Sequence, residues 1–126
     1  MKYLGVDFGL RKIGLALSEG ELSSPFKIIH INSLNEGIKK IEEIIEKEKI
    51  EKVVIGLPDS GVRAAILKVV SKLSKKYVVV TTDETLSSIG AQSTMLNLGL
   101  GKKQRREEDA YSAAQILQDY LDNEKV

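Results

Sequence analysis

Apolar positions come in short runs at the start of the chain. Leu4-Gly5-Val6 stops on an acid, Asp7, and Ile13-Gly-Leu-Ala-Leu17 begins a second run a few residues later. The first reads as a strand from about Lys2 to Asp7. The Gly-Leu-Arg-Lys link is short enough to join the two as a hairpin. Phe26-Lys-Ile-Ile-His-Ile31 reads as a third strand after the Gly20–Pro25 turn region. Three strands on short links predict an antiparallel meander.

The period then changes. Ile38, Ile41, Ile44 and Ile45 recur at helical spacing among lysines and glutamates, which predicts an amphipathic helix over 35–48. Val53-Val-Ile-Gly56 is continuously apolar, as in a strand covered on both faces. Ala65, Ile66, Val69, Val70 and Leu73 give a second helix over 61–75, and Tyr77–Val80 a fifth strand, again fully buried. A helix near 86–98, a polar loop and a last helix over 107–122 complete the chain, the last carrying Ala110, Ala113, Ala114, Leu117 and Leu121 on one stripe. The order βββαβαβαα, with right-handed crossovers, predicts an α/β fold: a five-stranded mixed sheet in order 3-2-1-4-5 with helices on both faces. The first, fourth and fifth strands then run parallel, and their carboxyl ends share the edge where open α/β sheets carry their sites.

Composition narrows the chemistry. The 126 residues suit one domain, 1–126, with a substantial core. Without cysteine there is neither a disulfide framework nor a thiolate metal site. No apolar run is long enough to span a membrane, and no secretory leader is visible at the start, so the expected location is the cytoplasm. A net charge of +1 announces no polyanionic partner, so nucleic-acid binding must rest on local patches.

Such a patch exists. Gly99-Leu-Gly-Lys-Lys-Gln-Arg-Arg106 carries Lys102, Lys103, Arg105 and Arg106 and no acid, while Arg11 and Lys12 follow Asp7 in the hairpin. These side chains suit phosphate contacts that position a nucleic acid without reading bases. The lone His30, in a strand among isoleucines, reads as structural.

Acids gather at the same edge. Asp7 ends the first strand, Asp83-Glu84 the fifth, and Glu107, Glu108 and Asp109 open the last helix. Asp83 could instead cap the following helix, and the first-turn acids could serve the helix dipole. Asp7 itself could be a turn former, a phosphate-loop residue or a metal ligand. Carboxylates converging at about 4 Å repel by on the order of 1 kcal/mol in water and more at lower dielectric. A cation between them resolves that cost. Oxygen-only ligands favour Mg²⁺ or Mn²⁺, and two such ions about 4 Å apart hydrolyse phosphodiesters in many enzymes.

Four segments resemble the YqgF/RuvX family: GVDFGLRKIGLALSE at 5–19, VVIGLP at 53–58, DETLSS at 83–88 and EDAYSAAQILQDYL at 108–121. The basic stretch before the last helix is also similar. That family, of the ribonuclease H-like superfamily, is described as Holliday junction resolvases and as pre-16S rRNA nucleases. The resemblance implies a metal-binding triad of Asp7, Glu84 and Asp109. It places Gly9, Arg11 and Gly14 in the first motif, and Gly56 and Pro58 in the strand-end motif. Two departures stand out: Thr85 where the family has arginine, and Gly90 where it has an acid; the segment after Pro58 is also short.

The expected activity is metal-dependent endonucleolytic cleavage of a nucleic acid, in maturation of the pre-16S rRNA 5′ end or, alternatively, at a branched DNA junction. The first needs only a monomer, the second a symmetric homodimer. An ATP-using phosphotransferase is a weaker reading, because such proteins close a second domain over the nucleotide and 126 residues hold only one. A non-catalytic binding module is the third.

Overall fold

Five strands and three helices make up the computed structural model, which describes residues 2–83 and 108–124. The strands are β1 (Lys2–Phe8), β2 (Lys12–Glu19), β3 (Ser23–His30), β4 (Lys52–Leu57) and β5 (Val79–Asp83). The helices are α1 (Leu34–Glu48), α2 (Arg63–Ser74) and α3 (Glu108–Glu124). The sheet order is β3-β2-β1-β4-β5. β1 pairs antiparallel with β2 and β2 with β3, while β4 runs parallel to both β1 and β5. The helix expected near 86–98 lies outside the described residues.

Strand alternation divides the core. Leu4, Val6 and Phe8 of β1 join Ile13, Leu15, Val53, Ile55 and Leu57 under α1 and α2. Tyr3, Ala16 and Val54 face the other way and pack against Ala113, Ile116, Leu117 and Leu121 of α3. The sheet is therefore covered on both faces, and its central strands are apolar on both sides.

Two strands differ from the reading by periodicity. β3 begins at Ser23, with Pro25 inside it, because β3 is an edge strand where a missing N–H is tolerated. The pairing skips Phe26 between Lys27 and Pro25, leaving that residue at a bulge. β5 begins at Val79, two residues later than expected, and runs on through polar Thr81, Thr82 and Asp83. Their backbones continue the parallel ladder with Ile55, Gly56 and Leu57. β5 is also not fully buried: Val78 beside it is 57% exposed, and Val79 and Val80 are half-buried, since the strand lies at the sheet edge.

Local chemistry fixes the helix ends. Ser33 caps α1 by accepting from the Glu36 N–H at 3.1 Å, and the Glu36 carboxylate accepts from the Asn32 N–H at 2.7 Å. α1 closes on Lys49 in the left-handed region, φ 56°.

Gly5 governs how closely α3 approaches the sheet. A Cβ there would stand 2.7 Å from Leu117 Cβ and 2.8 Å from the Ala113 carbonyl oxygen. Ala16 beside it in β2, and Ala113 on the helix, are small for the same reason. Gly5→Ala must push helix and sheet apart, and we expect a loss of about 1–3 kcal/mol, read as a lower urea midpoint at unchanged slope.

Candidate nuclease site

Asp7 stands at the carboxyl end of the central strand. Tyr3 and Gly5 of β1 face α3, so Asp7, two residues further on, lies on the same face. It is half-buried. Its antiparallel neighbour is Gly14. On the other side, Val6 pairs with Ile55, which sets Gly56 beside Asp7 one step later. Asp7 is thus flanked on both neighbouring strands by glycine.

The hairpin after Asp7 is tight. The Gly9 N–H donates to the Lys12 carbonyl at 3.0 Å, and a Cβ on Gly9 would meet that oxygen at 2.7 Å. Glycine is needed here for close approach. The Ile31 N–H donates to the Arg11 carbonyl at 2.9 Å, holding the turn against the end of β3. The Arg11 and Lys12 side chains are exposed at this edge. At the end of β4, Arg63 donates to the Pro58 carbonyl at 3.3 Å, fixing the turn into α2.

α3 runs antiparallel to β1 across this face. The Tyr3 and Tyr120 rings lie 6.2 Å apart between centroids, and Gly5 sits under Ala113 and Leu117. Two residues along a strand cover about 6.7 Å, a little over one helical turn of 5.4 Å. Moving from Gly5 to Asp7 therefore leads from Ala113 to the first turn of α3, which contains position 109. Position 84 follows directly on β5. The side chains of Glu84 and Asp109, and all of Lys102, Lys103, Arg105 and Arg106, lie outside the described residues. Among the described residues no three Asp, Glu or His side chains gather as a metal site.

Asp7 and its surroundings suit a hard cation nonetheless. The Asp7 carboxylate offers oxygen donors, its neighbours in the row are glycines, and one buried oxygen, Thr82 Oγ1, lacks a partner. A groove of about 780 Å³ lined by Glu42, Glu43, Glu46, Lys76 and Tyr77 lies elsewhere, beyond α1, and does not involve Asp7.

The far end of α3 is locked to the sheet. Lys52 donates to the Tyr120 hydroxyl at 2.8 Å and to Glu124 at 3.4 Å, and lies 5.2 Å from the centroids of both Tyr3 and Tyr120. The Tyr120 hydrogen bond, reinforced by Glu124, raises the Lys52 pKa against the opposing effect of burial. Tyr120 rises chiefly through burial. Glu124 falls below the ordinary glutamate value, chiefly through its hydrogen bond to Tyr120 and also through Lys52. Periodicity gave no sign of this lock, since Lys52 looks like any solvated lysine at the start of a strand.

The strand order and the acid at the end of the central strand define a ribonuclease H-like fold of the junction-resolvase type. The fold is similar to that of the fowlpox virus Holliday junction resolvase, with a TM-score of 0.66, 13% identity and 98% and 99% of the two chains covered. It is likewise similar to Thermus thermophilus RuvC in complex with a Holliday junction substrate, with a TM-score of 0.63, 14% identity and 100% and 98% covered. A family model described as "RuvX: Holliday junction resolvase" matches residues 1–123, and the chain belongs to that family. Relatives named "Putative pre-16S rRNA nuclease" include one from Desulforudis audaxviator, 34% identical over 99% of this chain and 96% of its own length. Another, from Clostridium tetani, is 32% identical over 98% and 97%.

The Lys52 lock has a definite pH signature. Its raised pKa keeps its contribution in full below the ordinary lysine value of 10.5, with loss only at more alkaline pH. The lowered Glu124 pKa makes that partner's share present above 4.5 and lost as pH falls through the folded value. Lys52→Met should lower the thermal midpoint by a few degrees, on the order of 1 kcal/mol. Thermal melts should show that difference constant from pH 6 to 9 and smaller in acid below the glutamate range.

Proposed function

We propose that this chain is a divalent-metal-dependent endonuclease that cleaves a phosphodiester in precursor 16S rRNA, at its 5′ end. The observation that carries the reading is the placement of Asp7: an acid one residue before the carboxyl end of the central strand β1, with a glycine beside it on each neighbouring strand, on the face that α3 covers. Family membership and the names of the relatives support the same activity. In this reading Asp7, Glu84 and Asp109 hold Mg²⁺ or Mn²⁺. Residues 1–126 form one nuclease domain that works as a monomer in the cytoplasm.

Each residue has a definite task. Asp7 supplies a carboxylate on a backbone held by paired strands on both sides. Glu84 and Asp109 would add negative charge beside Asp7, and a bound cation would relieve the repulsion between these carboxylates. Divalent ions held by Asp7, Glu84 and Asp109 would supply Lewis acidity for the attacking water and the leaving oxygen. Arg11, Lys12, Lys102, Lys103, Arg105 and Arg106 hold phosphates on either side of the reacting one. Gly9, Gly14 and Gly56 keep side chains out of the substrate's way, and Pro58 ends β4 at the site.

The resemblance to RuvC bound to a junction favours a second reading, a homodimeric resolvase of branched DNA. A Mn²⁺ cleavage assay with a precursor 16S rRNA end beside a four-way DNA junction separates the two, together with the protein's mass in solution. RNA cleavage by a monomer is the expected result, and cleavage of the junction alone by a dimer would reverse the assignment.

Asp7→Asn should abolish Mn²⁺-dependent cleavage with an unchanged circular dichroism spectrum and thermal midpoint. Undiminished cleavage by that variant removes the catalytic assignment. Combining Lys102→Gln, Lys103→Gln, Arg105→Gln and Arg106→Gln should weaken RNA binding and flatten the plot of log Kd against log salt by about 3, near 0.7 per lost phosphate contact. A slope equal to that of the wild type would show that the stretch does not hold phosphate.

A further inference from the structure

Two side-chain hydroxyl oxygens, Ser18 Oγ and Thr82 Oγ1, are buried without a hydrogen-bond partner. Such a group costs stability that an apolar side chain of the same shape would not, so it calls for a reason. Ser18 pairs opposite Tyr3, at the end of β1 remote from Asp7. Thr82 stands at the other end, at the site.

The register places Thr82 closely. It pairs with Gly56 in the parallel ladder of β4 and β5. Val80, two residues earlier, packs on the cluster under α3, so Thr82 lies on that face as well. Asp7, Gly56 and Thr82 therefore form one row across three parallel strands, and the middle member has no side chain. The backbones of Asp7 and Thr82 stand about two strand spacings apart, or ~9.6 Å. The two side chains narrow that gap without a direct hydrogen bond between them, since Thr82 Oγ1 has no partner. A cation on the carboxylate at ~2.1 Å, one of its waters ~2.1 Å further, and a hydrogen bond of ~2.8 Å together bridge ~7 Å.

We infer that Thr82 is a positioning residue whose hydroxyl holds a water in the hydration shell of a divalent cation bound at Asp7. The inference rests on the reading of Asp7 as a metal ligand. Mg²⁺ keeps several waters when bound, and groups that orient this outer shell tune affinity. A hydroxyl both donates and accepts, so it can orient a water without adding negative charge to an edge already rich in acids. Valine would suit a β-strand as well as threonine does; the hydroxyl is what distinguishes them.

The test is Mn²⁺ binding to the substrate-free full chain, followed by electron paramagnetic resonance of the free ion, with metal-free thermal midpoints alongside. Thr82→Val should weaken Mn²⁺ binding about 10-fold while the metal-free midpoint stays the same or rises. Thr82→Ser should stay within about 3-fold of the wild type, and Ser18→Ala should leave affinity unchanged. Thr82→Ala removes the hydroxyl without a branched replacement, and should show the same loss of affinity should valine pack poorly. Wild-type affinity in both Thr82→Val and Thr82→Ala, with Asp7→Asn unable to bind, overturns the role of Thr82 alone. Wild-type affinity in Asp7→Asn overturns the metal-ligand reading beneath it.

Discussion

The close seat of α3 on Gly5 is the contact on which the rest of the site depends. With Leu117 Cβ and the Ala113 carbonyl within 3 Å of where a side chain would begin, the helix lies almost on the backbone of β1. That seat fixes the height of the helix above the sheet, and Tyr3 against Tyr120 fixes its direction. Given both, the first turn of α3 comes over the end of β1, at Asp7. A larger residue at position 5 would lift the helix off β1.

The two sheet faces have different duties. α1 and α2 cover a broad layer of Ile, Leu and Val that supplies most of the apolar burial. Among the described residues the α3 face joins Tyr3, Tyr120 and three alanines to Val54, Ile116, Leu117 and Leu121. At one end Lys52 binds Tyr120 and Glu124 and pins the helix. At the other, Asp7 and the buried Thr82 hydroxyl share a row opened by Gly56.

Much of this was readable from the residues. The meander, both crossovers and the sheet order followed from run lengths and from the change of period between 31 and 38, because strands buried on both faces read as unbroken apolar runs. The misread ends share one cause. Pro25 and Thr81-Thr82-Asp83 look like loop, but edge strands accept proline and polar residues because one side of each faces no partner. Asp7 was legible as a candidate because an acid directly after a buried run is unusual, and the family resemblance then gave it companions.

The sequence by itself determined which segments form strands and helices, which of their faces are apolar, and that Asp7 lies near the carboxyl end of the first strand, although β1 runs one residue beyond it, to Phe8. Those properties are local: they depend on periods of two and of 3.6 residues and on single turn residues. Tertiary structure alone decided that Gly14 and Gly56 flank Asp7, that Thr82 shares its row without a partner, and that Lys52 lies between two tyrosines 49 and 68 residues away in sequence. Register and helix seating set those relations, and both are settled by contacts between residues far apart along the chain.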